Sequence, residues 1–410
     1  MSLHAFVSIA VCERMSGMEF ARDSRFVGAA CATAAAAVAL QLCPRFRPTF
    51  APQKSASTNN GQQQQQQKEK NHKTVMKGVG VIGVFVAVAA GLAANAHSAV
   101  VARQAVSPEY PRVSEVSVAL LSFGVLTIGR ICAMPLGRWL ARTLTHGNAT
   151  VQQQQRFSAQ LWKALFHSCA TAAPLVIMHR AREAEMAATG TQTPATAWWP
   201  PGVGDPQAMF DAYPFVPQNR ALNVFYLVQL GWSLHSLFVT LLQAGRGGYL
   251  TMVVHHMATL LLVSGSYFVQ NNIRLGTEVF FVHDVCDVPV CVTRMLLDVG
   301  LTLPTAVAYL VLLPSWFVFR LVLFPFSVMR NVSVRAPRMG WVPWDEAHGW
   351  VPLTAGMVVL LVLHVRWFLE LCHMGATFIR SGSMEDTTES TKGVEGGKPS
   401  AGTPPKTKRC

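Results

Sequence analysis

Eight stretches of this chain are each long and apolar enough to cross a lipid bilayer, and that restricts its folds to very few. A span needs about 20 mostly apolar residues. The stretches run Val75–Val101, Val113–Arg138, Phe157–Met178, Leu222–Leu242, Leu250–Gln270, Leu275–Leu297, Leu301–Val328 and Trp350–Met374, the first rich in Gly and Ala. Backbone N–H and C=O groups find no water in lipid, so only helices or closed barrels satisfy them there. Runs of this length predict an all-α fold, a polytopic transmembrane helical bundle. Composition agrees: the chain is 51% hydrophobic and 13% charged, with a mean hydropathy of +0.30, where soluble domains carry roughly a quarter charged residues.

The formal net charge of +13 lies mostly beside helix ends, as in Lys68, Lys70, Lys73 and Lys77. No basic block is interleaved with exposed aromatics, which excludes nucleic acid as a partner. The nine cysteines are dispersed without zinc-site spacing, so free thiols are expected rather than a disulfide framework. Residues 1–74 are expected to form a tail with a disordered Gln-rich linker, Pro52–Lys73. Within that tail, Arg25–Arg47 fits a signal anchor, an organelle presequence or a weak extra span. Residues 75–143 hold the N-terminal spans, and 377–410 read as a second disordered tail with no apolar face to bury.

Basic residues in short loops set orientation. Lys68–Lys77 precede the first span, and Arg138, Arg142 and Arg156 follow the second, so both groups belong in the cytoplasm. Alternation then places the C-terminal tail there too, although Arg330, Arg335 and Arg338 fall on the opposite side. The last residues, Lys406-Thr407-Lys408-Arg409-Cys410, have the spacing of a dilysine retrieval signal. Together these predict a multi-pass protein of the endoplasmic reticulum membrane. Of the two glycosylation sequons, Asn148 is expected in the cytoplasm and Asn331 in the lumen against the membrane.

One helical hairpin, Met252–Val290, carries ionisable groups where lipid belongs: His255, His256, Glu278, His283, Asp284 and Asp287. An isolated Asp or Arg at mid-bilayer costs about 2.5–3.5 kcal/mol, so four charges on the second helix would cost on the order of 10. Glu278 and Arg294 lie near helix ends and reach the interfaces; Asp284 and Asp287 cannot. At about 100° per residue, His283, Asp287 and Arg294 share a face, with Asp284 about 60° from Asp287. On the preceding helix His255, Thr259 and Ser266 align, whereas His256 points with Leu260 and Tyr267. Antiparallel pairing of the two helices brings both polar faces into one site. A di-iron reading fails: Met252 breaks HxxHH and no HxxxH occurs. The other histidines, including His167, His235 and His364, look isolated, so no metal is expected.

At these residues the chain resembles the Lag1 motif of ceramide synthases, within the TLC-domain superfamily. The resemblance rests on His255-His256, Thr259, Ser264, Ser266-Tyr267, Arg274, Gly276 and His283-Asp284-x-x-Asp287, in a motif spanning 252–294. "LWKALFHS" (Leu161–Ser168), "FRLVLFPF" (Phe319–Phe326) and "LHVRWFLELCHM" (Leu363–Met374) extend it over a TLC domain at 157–376. The departures are Arg294 for a usual Lys, Cys291 for Glu, Pro289 inside the motif helix, and about one extra residue before Arg274. The resemblance implies six core spans plus one or two N-terminal ones.

It also implies N-acylation of a sphingoid base, such as sphinganine, by a fatty acyl-CoA co-substrate, giving a (dihydro)ceramide with no bound cofactor. A buried imidazole suits the proton transfer or the acyl transfer. His255 is expected as base or nucleophile, His256 as an orienting or oxyanion group, His283 as a further catalytic residue of the motif, and Asp284 and Asp287 as partners of imidazole and ammonium. Thr259, Ser266, Tyr267, Arg274, Arg294, Trp162, Lys163 and Arg320 are the further substrate-binding candidates, with Lys163, Arg138 and Arg142 toward coenzyme A phosphates. Met329–Trp350 is expected as a lumenal loop whose Arg and Trp residues either close the acyl tunnel or anchor the helix ends at the interface. Partners implied are the bilayer, the two substrates, and a homo- or hetero-oligomer or small accessory subunit. The alternative is a non-catalytic TLC-domain protein: a lipid sensor, translocation component or cargo receptor. A third class, a membrane acyltransferase using one intramembrane His, fits the HH pair and motif order poorly.

Overall fold

The computed structural model describes residues 60–107, 110–190, 196–217, 219–243, 247–335 and 347–381. The segment Arg25–Arg47, most of the Met329–Trp350 loop and the Lys406–Cys410 end lie outside them. Among the described residues all regular structure is helical: α1 Asn60–Val106, α2 Val116–Leu144, α3 Val151–Thr189, α4 Arg220–Leu241, α5 Tyr249–Ser264, α6 Ile273–Asp298, α7 Thr302–Trp316 and α8 Ala347–Ser381. Wide π-type turns extend α5 through Gly265–Val269 and α7 through Phe317–Met329 and Asn331–Arg335.

Seven of these helices are long and apolar enough, by length and composition, to cross a membrane. This is a multi-pass membrane protein. The helix that fails that count is α6, because Arg274, Glu278, Asp284, Asp287, Arg294 and Asp298 all sit on it. It can still occupy the bundle because α3, α4 and α7 surround it and supply partners; its interface with α3 is the most extensive in the molecule. The apolar core draws on α2, α4, α5, α6, α7 and α8 together. By contrast α1 packs mainly on α5 at the periphery.

Two expectations are corrected. The Gln-rich linker is helical from Asn60 and runs without a break into the first span. Gln, Lys and Glu are good helix formers, and an apolar helix already nucleated extends cheaply into them. Glu278 does not reach an interface; it is 2% exposed, and its Oε2 has no hydrogen-bond partner. Pro289 leaves α6 continuous, and the five cysteines described are all free.

The α5–α6 turn is built to be dry. The π turn at Gly265–Val269 takes one more residue per turn than α-helix, in the region where the sequence shows its extra residue. The Val269 carbonyl it releases accepts from Tyr110 Oη at 2.7 Å and Arg103 Nη1 at 3.1 Å. Asn271 takes a left-handed φ of 52° to reverse the chain. Gly276 then lies so close to the Tyr226 ring that no Cβ fits between them. The α3–α4 connection caps the same end, where Arg182 Nη2 donates to Trp199 O at 2.5 Å and Arg274 Nη1 to Ala208 O at 2.6 Å. At the opposite end Arg156 Nε pairs with Asp298 Oδ1 at 2.7 Å, tying the start of α3 to the end of α6.

Candidate active site

The centre of the site is the pair of aspartates on α6, and the partners come from three other helices. Asp284 is buried. Its Oδ1 accepts from His167 Nδ1 of α3 at 2.7 Å, and its Oδ2 from Gln229 Nε2 of α4 at 2.5 Å. Asp287, one turn on, meets Arg320 of α7 at 2.5 Å and lies 3.9 Å from His167. The Arg320 guanidinium stacks 4.2 Å from the Trp316 ring centroid and also donates to the His283 carbonyl at 3.1 Å. Arg320 is thus the ion-pair partner of Asp287, while its Nε stays buried without a partner among the described residues.

The imidazoles ring this network. His283 donates Nδ1–H to Val279 O at 2.6 Å, and its Nε2 is buried with no partner. His255 lies 5.2 Å from His256 and 5.3 Å from Trp367, ring to ring, and its Nδ1 is likewise buried and unpartnered. The two adjacent histidines face different walls. His255 lies within electrostatic reach of Arg320 and Asp287, whereas His256 lies within reach of His255, Lys163 and His235. This separation follows from the 100° step between consecutive helical residues.

Other candidates lie elsewhere. Thr259 turns its hydroxyl back onto the His255 carbonyl at 2.9 Å. Ser266 bonds Tyr226, and Tyr267 donates to Glu115 Oε2 at 2.6 Å. Ser266 and Tyr267 lie eleven and twelve residues from His255, on the order of 16 Å or more along the helix axis, at the other end of the hairpin helix from the paired histidines. Arg274 belongs to the same far end, beside a cavity of about 380 Å³ that Glu185, Arg220 and Asn223 share. Trp162 packs on Trp232 at 6.4 Å. Lys163 and Arg294 both lie within electrostatic reach of Cys291, on the half of α6 beyond Asp287. At the α2–α3 end a second cavity of about 370 Å³ is lined by Arg138, Trp139, Arg142, Gln154 and Gln155.

Three histidines that look isolated in the sequence are not. His167 holds Asp284. His235 bonds Thr127 Oγ1 at 2.9 Å, and the His364 ring lies 4.8 Å from that of His283. The available signal was polar residues in apolar helices, each a functional candidate by default; Lys163 with His167 and Gln229 with Ser233 also share faces at i, i+4. His167, Asp284 and Asp287 place three donor atoms within 4.8 Å of one another, close enough for a divalent ion. Hydrogen bonds from His167, Gln229 and Arg320 engage those same carboxylates.

A sequence model of the TLC domain (the TRAM, LAG1 and CLN8 group) matches residues 156–373, more than half the chain. The chain belongs to the TLC-domain family. Similar TLC-domain relatives are ceramide synthases by name. Ceramide synthase hyl-2 of Caenorhabditis elegans is 28% identical over 186 residues, 43% of this chain and 56% of that protein. Ceramide synthase LOH2 of Arabidopsis thaliana is 24% identical over 178 residues, 42% and 59% of the respective chains. Ceramide synthase 5 of Mus musculus is 25% identical over 193 residues, 47% and 45%. The chain spans about half the length of these curated relatives.

Proposed function

We propose that this TLC-domain protein is a ceramide synthase, transferring the acyl group of a fatty acyl-CoA to the amine of a sphingoid base. The observation that carries this reading is the gathering of His255 and His283 within electrostatic reach of Asp287, beside the buried Asp284, inside an apolar bundle, in a chain whose relatives bear that name. The amine must lose a proton as its nitrogen attacks the thioester carbonyl carbon; C–N forms, C–S breaks, and the proton passes by way of the base to the departing coenzyme A thiolate. His255, within electrostatic reach of Asp287 and with a ring nitrogen unpartnered among the described residues, takes the proton as base, or takes the acyl group first and yields it to the amine. Asp287 is the carboxylate open to an ammonium, since its side chain is 30% exposed against 6% for Asp284. Asp284 fixes the His167 tautomer instead of a motif histidine. The apolar walls take the two hydrocarbon tails. Lys163 beside His256, and the cavity with Arg138 and Arg142, suit the thioester and phosphate ends of coenzyme A.

This reading needs no bound metal and places the protein in the endoplasmic reticulum membrane, with its C-terminal tail in the cytoplasm. Microsomes containing the chain, given sphinganine and a panel of acyl-CoAs, are expected to form dihydroceramide detectable by mass spectrometry. No N-acylated product from microsomes in which the chain accumulates overturns the reading. Topology is tested separately. Protease added to intact microsomes is expected to remove a C-terminal epitope tag; a protected tag inverts the orientation. Neither sequon is expected to carry a glycan, Asn331 in particular being 4% exposed.

A further inference from the structure

His364, on α8, is fully buried at 0% exposure, and neither of its ring nitrogens has a hydrogen-bond partner among the described residues. Its place is fixed by the chain: its backbone carbonyl accepts from the Trp316 indole at 3.2 Å. The ring lies 4.8 Å from His283, 5.4 Å from Phe324 and 6.1 Å from Trp316, centroid to centroid. Leaving a polar ring unpaired in such a place is costly, and a ligand relieves the cost.

The chemistry of the neighbouring ring says what kind of ligand. His283 donates Nδ1–H to the Val279 carbonyl, and a carbonyl only accepts. In the neutral ring His283 Nε2 is therefore a bare lone pair, buried and unpartnered. A neutral His364 adds one N–H donor whichever tautomer it adopts. The two rings, 4.8 Å apart centroid to centroid, thus leave two acceptors and one donor to be answered. An ammonium only donates and a thioester carbonyl only accepts. A hydroxyl does both.

We propose that His283 and His364 together hold a hydroxyl of the sphingoid base, the one on the carbon between the amine and the tail. The site then selects a 2-amino-1,3-diol over a plain long-chain amine. This rests on the acyltransferase reading above. The choice of hydroxyl follows from the surroundings. Asp287 is one turn from His283 and takes the amine. Phe324 and Trp316, which wall His364, are apolar, as the tail side of the head must meet. The 1-hydroxyl points away from the tail and meets neither ring.

A water molecule satisfies the same donor and acceptor, and substrate analogues separate the two. The ratio of kcat/KM for sphinganine, 1-deoxysphinganine and 3-deoxysphinganine is measured in microsomes for wild type, His364→Phe and His364→Gln. Wild type is expected to prefer sphinganine over the 3-deoxy analogue by about tenfold or more, since a site built for a hydroxyl rejects the analogue lacking it. His364→Phe is expected to bring that ratio within about threefold of unity, while the ratio of sphinganine to the 1-deoxy analogue stays put. His364→Gln, which keeps a donor and an acceptor, restores part of the discrimination. A wild type indifferent to the 3-hydroxyl overturns the proposal, even if no variant accumulates. So does a His364→Phe protein that loses rate equally on all three bases. A wild type inactive on every base fails the acyltransferase reading itself, and this inference with it.

Discussion

His255→Ala is expected to abolish ceramide formation while the protein accumulates in membranes at close to the wild-type level. The two halves of this result have separate causes. Loss of a positioned base or acid removes about 10²–10⁴-fold in rate, and loss of a nucleophile removes the covalent route altogether. Stability is spared because His255 Nδ1 has no partner among the described residues, so its removal strands nothing on that side. Asp284→Ala separates activity from folding differently. It strands His167 Nδ1 and Gln229 Nε2 at once, each a buried polar group whose loss of a partner costs about 1–3 kcal/mol. Asp284→Ala is therefore expected to lose both activity and abundance, and His256→Ala to be severely impaired in rate. Product formation per unit of membrane-inserted protein is the measurement. An active His255→Ala protein would sink the proposed role.

The bundle was legible because lipid leaves so few solutions: runs of about 20 apolar residues are helices. The motif hairpin was legible for the converse reason, that charge in such a run needs a partner. What the sequence hid was the identity of those partners. Helical wheels relate residues within one helix, and Asp284 finds His167 117 positions away and Gln229 55 positions away. Wheels also put Ser266 in line with His255, yet its hydroxyl bonds Tyr226, a partner on α4 that no wheel of α5 contains. Glu278 shows the limit of reading depth from position: near a helix end in sequence, it is covered by the cap that the α3–α4 connection and the buried α5–α6 turn form over that end. The Gln tract failed for a simpler reason. Low complexity was read as disorder, but the same residues continue a helix readily once a neighbouring span has started it.

Arg320→Met is expected to lower both the thermal stability of the detergent-solubilised protein and its yield, and the Asp287→Asn change is expected to restore much of that loss without restoring activity. Arg320 is 3% exposed at its side chain and sits 2.5 Å from Asp287. Removing one member of a buried pair leaves the other charge uncompensated, which costs about 3–5 kcal/mol. Because the Asp287 side chain is 30% exposed and so only partly desolvated by the protein, the lower end of that range, about 3 kcal/mol, is the expected size. Arg320→Lys should recover only part. A single ammonium cannot pair with Asp287, reach the His283 carbonyl and stack on Trp316 at 4.2 Å together, as the planar guanidinium does. In the double variant Arg320→Met with Asp287→Asn no charge is left unpaired, so stability returns toward wild type. The carboxylate that would receive the substrate ammonium is gone, so the rate does not. Thermal aggregation followed by size exclusion, beside N-acylation assays, reads both quantities in a double-mutant cycle. Additive losses in the double variant would show that the pair is not coupled. Recovered activity there would show that Asp287 does not hold the amine, and would pass that role to another group of the site.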